Sequence, residues 1–139
     1  MTLVAQLGLS GVLIVLSALH FLWALGWWMP VADETRLARA VVGRRGITKM
    51  PGPVACATVA MGLFFAALLP HLDWVPGKAG WVTGLSTLFV LRGGIAWLPA
   101  WRRALPEEPF ATLDRWVYGP LSLGLGVGFV ITGGIEWPR

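Results

Sequence analysis

The sequence predicts an all-α polytopic membrane protein, with four transmembrane helices in an up-down bundle and both termini outside. Three observations carry this prediction. Of 139 residues, 56% are hydrophobic and 13% charged, where an ordinary soluble domain carries about 25% charged residues. Residues 3–29 contain no Asp, Glu, Lys or Arg, and their one ionisable side chain is His20. That run is longer than the ~20 residues needed to cross a hydrocarbon core of ~30 Å. Finally, Lys and Arg are concentrated in two of the three segments that connect apolar runs.

The first run, residues 3–29, lacks a basic n-region, exceeds a typical signal-peptide core and ends in Trp27-Trp28-Met29-Pro30 instead of small residues. It therefore reads as a retained helix. In the loop that follows, Asp33 is placed to cap a short helix over residues 34–42, with Glu34 in its first turn and Gly43 at its end. Leu37, Ala40 and Val41 share one face of that helix. The helix either lies on the inner leaflet or is an ordinary solvated connector.

The second run, residues 53–69, opens with Pro51-Gly52-Pro53, where proline suits a first helical turn, and closes at Pro70. The third covers residues 80–98. Pro106-Glu107-Glu108-Pro109 reads as an irregular turn before the fourth run, residues 116–134. The whole chain, 1–139, forms a single membrane domain with no internal repeat.

Loop charges set the orientation. The first loop holds Arg36, Arg39, Arg44, Arg45 and Lys49; the third holds Arg102, Arg103 and Arg115; the second holds Lys78 alone. Loops one and three are therefore expected in the cytoplasm, and both termini outside a bacterial inner membrane. Tryptophan gives the same frame, because indole prefers the interfaces. Trp27, Trp28, Trp97, Trp101 and Trp116 fall at cytoplasmic ends and Trp74, Trp81 and Trp137 at outer ends, while Trp23 lies about a turn deeper.

Small residues mark helix-packing faces: Gly124 and Gly128, Gly62 and Ala66, and Gly80 and Gly84. These faces serve either the bundle or a homo-oligomer. The net charge of +4 forms no basic stripe, so membrane lipids and not nucleic acid are the expected partners. Cys56 is the single cysteine, which excludes an intrachain disulfide and a redox cysteine pair.

Ionisable side chains inside a membrane helix are costly and mark candidate sites. His20 in the first run and Arg92 in the third each lie roughly 10–13 Å from the cytoplasmic boundary at 1.5 Å per residue. Asp114 and Tyr118, four residues apart on one helical face, begin the fourth run beside them. These residues, with Trp23, are the candidate ligand-binding set, converging on a pocket that opens to the cytoplasm. Arg92 would pair with Asp114 or hold an anionic group through its planar fork. His20 would act as base, relay or hydrogen-bond donor. Each has a plainer reading: Arg92 snorkels, His20 is packed against a carbonyl or indole, and Asp114 caps the fourth helix.

The sequence contains no metal, phosphate-loop or nucleophile motif. His20 and His71 fall on opposite sides of the predicted membrane. No cofactor and no metal is expected, and no enzymatic activity is assigned.

The segments Leu19-His20-Phe21-Leu22-Trp23-Ala24-Leu25-Gly26, Leu91-Arg92-Gly93 and Phe110…Leu113-Asp114-Arg115…Tyr118-Gly119-Pro120-Leu121 resemble those of DUF3995, a family of bacterial membrane proteins. In that family a His followed by Trp-Ala-Leu-Gly is typical of the first helix and Leu-Arg of the third. A Phe…Leu-Asp-Arg…Tyr-Ser-Pro-Leu pattern opens the fourth. Gly119 stands here where serine is common, so no role for that hydroxyl carries over. The resemblance spans essentially the whole chain and implies four helices; no activity, substrate or cofactor comes with it.

Three functions remain open on the sequence. One is a protein binding a lipid or a small anionic or apolar molecule in the intrabundle pocket. The second is an accessory protein whose polar residues only set helix register. The third is a small transporter, which with four spans would need a homodimer.

Overall fold

The computed structural model describes residues 2–133. The chain is all-α, with no strand among the described residues. Trp137, the end of the fourth predicted run at Gly134, and the C-terminus lie outside them.

Helix α1 (Thr2–Ala24) stops short of the predicted run's end. Gly26 adopts φ +80°, its N–H bonds to the Trp23 carbonyl at 3.1 Å, and the Trp27 N–H bonds to the Leu22 carbonyl at 2.9 Å. This paired closure satisfies the last carbonyls and turns the chain, and a left-handed residue without a side chain makes it easily. The apolar run therefore outlasts the helix.

Helix α2 (Glu34–Val41) starts where the Asp33 carboxylate accepts the Arg36 N–H at 2.8 Å. Its apolar face is covered by protein. Leu37 and Ala38 are buried in a cluster with Trp23, Met50 and Cys56.

Helix α3 (Pro53–Leu68) continues as a 3-10 turn over Leu69–His71. Helix α4 (Lys78–Ile95) is followed by the short α5 (Pro99–Ala104). The last segment is helical without a break from residue 110 to 132. It comprises α6 (Phe110–Leu113), a π turn (Asp114–Tyr118) and α7 (Gly119–Thr132). Pro120 explains the wide turn: it has no N–H to donate and its ring crowds the carbonyl four residues earlier. The Gly119 N–H accordingly reaches back five residues to the Asp114 carbonyl.

Two segments are long and apolar enough to cross a membrane by length and composition: Leu3–Ala24, with mean hydropathy 2.0, and Pro53–His71, with 1.9. Lys78 and Arg92 make α4 less apolar, and α7 is described over 14 residues.

The helices form two antiparallel pairs, α1 with α3 and α4 with α7, joined where α1 meets α7. Hydrogen bonds fix the register of the first pair. Ser10 Oγ donates to the Ala67 carbonyl at 2.7 Å and Ser17 Oγ to the Ala60 carbonyl at 2.8 Å. Since Ser10 has spent its one hydrogen, its oxygen accepts from Nε2–H of His71 at 2.9 Å.

In the second pair glycines allow the close approach. A Cβ on Gly126 would lie 2.6 Å from Val90 Cγ2, and one on Gly93 would lie 2.8 Å from the Gly119 carbonyl oxygen. Of the glycines singled out by spacing, a Cβ on Gly62, Gly80, Gly84 or Gly124 would meet no atom within 4 Å, while one on Gly128 would touch Leu9. One core cluster, built on Leu13, Ala67, Leu69 and Phe129, draws on all four long segments. The other, around Trp23, closes the opposite end.

Candidate functional site

The structure sorts the five candidate residues into two groups. Arg92 Nη2 donates to Asp114 Oδ1 at 2.5 Å. Asp114 is 2% exposed, and its other carboxylate oxygen, Oδ2, accepts the indole N–H of Trp101 at 2.9 Å. The face of that indole lies under the guanidinium, 5.5 Å from ring centroid to Cζ, a cation–π distance. Trp101 thus holds both partners of the ion pair. Both carboxylate oxygens are engaged, as burial of a charge demands. Arg92 Nη1 is buried with no hydrogen-bond partner among the described residues.

Asp114 does not cap a helix here. The helical segment starts four residues earlier with Pro109 at its N-cap, and Glu108, just before the cap, accepts the Thr112 N–H at 3.2 Å. Tyr118, one turn along, points to loop one and donates its hydroxyl to the Ala40 carbonyl at 2.9 Å. Its ring lies 6.0 Å from that of Phe110.

His20 and Trp23 make the second group. His20 Nδ1 donates to the Leu16 carbonyl at 2.8 Å; a carbonyl only accepts, so Nδ1 carries the proton. The imidazole packs on the Trp23 indole at 4.6 Å between centroids. The Trp23 N–H bonds the Met29 carbonyl at 2.7 Å and so holds the chain as it leaves α1. No hydrogen bond, ion pair or ring contact among the described residues joins His20 to Arg92.

Loops one and three are tied together near Tyr118. Glu107 is the knot: Oε1 pairs with Arg39 at 2.6 Å, Oε2 accepts the Gly46 N–H at 3.0 Å, and its own N–H bonds the Gly43 carbonyl at 3.1 Å. The Gly46 N–H and the Arg39 guanidinium hold the Glu107 carboxyl below the usual carboxylate range. Phe110 lies over Gly43 so closely that a Cβ there would fall 2.0 Å from the ring.

Beside this knot opens a groove of about 550 Å³ lined by Arg45, Arg102, Arg103, Trp97, Pro99 and Glu108 among others. Trp97 links it to the π turn, since its ring edge would come 3.2 Å from a Cβ on Gly119. Sequence reasoning reached Arg92 with Asp114 but missed Trp101 and the Glu107 knot. Trp101 follows the turn after α4, beyond the reach of helical spacing from Arg92. Glu107 lies in a proline-bounded turn with no periodicity to read.

Fold and site together define an all-α protein of two helix pairs, with an Arg–Asp–Trp cluster around a buried carboxylate at the end of one pair and a basic groove next to it. The family described as "Protein of unknown function (DUF3995)" matches residues 13–129, and the chain belongs to it. No curated protein and no solved structure matches the chain.

Proposed function

We propose that this chain is a four-span protein of a bacterial inner membrane, with both termini outside, that binds a lipid or small anionic molecule from the cytoplasmic side. One observation carries the binding reading: Arg92 is fixed by Asp114 and Trp101 while its Nη1 is buried and unpartnered. Such a donor costs free energy unless an acceptor reaches it. Two long apolar segments and the charge asymmetry of the loops support the membrane frame.

Native mass spectrometry of the purified protein beside Arg92→Gln and the Arg92→Gln/Asp114→Asn double variant tests binding. An adduct held by the parent protein and lost from both variants is the expected result. The same adduct on all three would remove Arg92 from the site. Reporters fused after Arg139 and within residues 44–49 test topology; a cytoplasmic C-terminus would overturn it.

The accessory reading has one observation in its favour. His20 and Tyr118 are satisfied by backbone carbonyls, as residues that only set register would be. It predicts clean spectra for all three proteins and copurification of a protein partner.

A further inference from the structure

We propose that the groove between loops one and three binds the phosphate group of an anionic phosphoester. This deepens the binding reading above, because it names a ligand chemistry and the residues that take it. Its cavity of about 550 Å³ is of the size that holds small ligands, roughly 300–1,000 Å³.

Three arginines come to one groove from two loops. Arg45 follows the Gly43 turn, and Arg102 and Arg103 occupy the last turn of α5. Among the described residues, none of the three has an ion-pair partner. The nearby carboxylates are committed elsewhere. Both oxygens of Glu108 bond Thr112, through its N–H at 3.2 Å and its hydroxyl at 3.1 Å. Those of Glu107 go to Arg39 and the Gly46 N–H. Three guanidiniums are left around a concave space whose wall carries one carboxylate, Glu108, so positive charge is in excess there.

Guanidinium forks match the paired oxygens of a phosphate. Apart from Glu108 the remaining wall is apolar, with Trp97 40% exposed beside Pro99, Pro106 and Ala111, and suits the carbon skeleton attached to a phosphoester. The Glu107 knot sets the distance between loops one and three, so the anion site is built in advance of binding and loses little freedom when filled.

The phosphoester has two sources, a phospholipid headgroup or a soluble metabolite, and one experiment separates them. The protein is placed in nanodiscs of phosphatidylcholine alone or with one-fifth phosphatidylglycerol. Retained lipid is counted by native mass spectrometry, and binding of glycerol 3-phosphate to the phosphatidylcholine discs is measured by calorimetry. The groove variant is Arg45→Ala/Arg102→Ala/Arg103→Ala. A control, Arg36→Ala/Arg44→Ala/Lys49→Ala, removes the same charge outside the groove.

Phosphatidylglycerol retained by parent and control but weakened about tenfold or more in the groove variant establishes a headgroup site. The same pattern with glycerol 3-phosphate establishes a soluble phosphoester site. Equal loss in both triple variants would overturn the proposal in favour of diffuse surface charge, and so would binding of neither probe by the parent. Its failure is distinct from failure of the binding reading, since an adduct that depends on Arg92 and not on the groove would refute this site alone. The groove side chains make no ion pair or buried contact, so the triple variants are expected to fold, and matched melting curves verify it.

Discussion

The two helix pairs are held together by different means. In α1 and α3, serine hydroxyls two turns apart bond to carbonyls of the facing helix, and buried alanines fill the seam. In α4 and α7 the backbones approach through Gly93, Gly119 and Gly126, with one serine bond from Ser86 to the Gly126 carbonyl at 2.9 Å. An ion pair closes the latter seam at one end. The Ser17 bond is an addition: a serine that loses its oxygen there leaves the Ala60 carbonyl in its own helical bond, while Ser10 serves the last turn of α3 and His71. The glycine seam is a requirement, because an added carbon has no place to go. The first pair should therefore tolerate substitution and the second should not.

The largest effect is expected at the ion pair. Asp114→Ala would leave Arg92 charged and half-buried, with the Trp101 N–H unpaired, and should destabilise by about 3 kcal/mol. Reversible unfolding in detergent micelles measures it. The Arg92→Met/Asp114→Leu double variant should lose less than Asp114→Ala alone; a larger loss would mean that the pair is worth more than its desolvation.

Next comes a matched comparison on α7. Gly126→Ala should cost about 1–3 kcal/mol through overpacking on Val90 and the Ser86 carbonyl. Gly124→Ala, with open space around it, should be neutral or stabilising by up to ~1 kcal/mol through helix propensity. Equal effects would erase the contrast between seams. Smaller still, Ser17→Ala should cost about 0.6 kcal/mol, and a loss as large as that of Gly126→Ala would show the hydroxyl seam to be a requirement too.

The gentlest test concerns the knot that ties loop three to loop one. Glu107 has a lowered folded pKa, so its contribution is complete above the unfolded carboxyl value and fades as pH falls through the folded one. The Gly46 amide resonance should titrate in that acidic window and stop doing so in Glu107→Gln. A pH-independent resonance in the parent protein would remove Glu107 as the tether.

What sequence could convey here was limited by geometry. Helical spacing relates residues within one helix, so it put Asp114 and Tyr118 on one face and placed Asp33 before α2. It does not give the rotation of one helix against another. Gly124 and Gly128 have the familiar spacing, yet Gly126 is the glycine that meets α4, because two residues are about 200° apart on a helix. Gly128 turns instead to α1. Depth in the predicted bundle matched His20 with Arg92, but depth carries no azimuth, and the two side chains find different partners. The pairing of Arg92 with Asp114 was within reach because opposite charges in apolar surroundings have few alternatives. Trp101 was not, since its position follows from a turn whose path only the folded chain displays.

The junction of α1 with α7 has a consequence for synthesis. Of the described helices, those that join the two pairs are the earliest and the latest to be made. Chains emerge from the N-terminus, so α1 and α3 can zip their serines while the remainder is still being translated. Helix α4 has no such companion. It exists for a time with Arg92 lacking its carboxylate, until Asp114 is added 22 residues later. That residue neutralises the charge and recruits the Trp101 indole; the glycines of α7 follow it and pack against α4, so α7 both completes its own pair and joins it to the first.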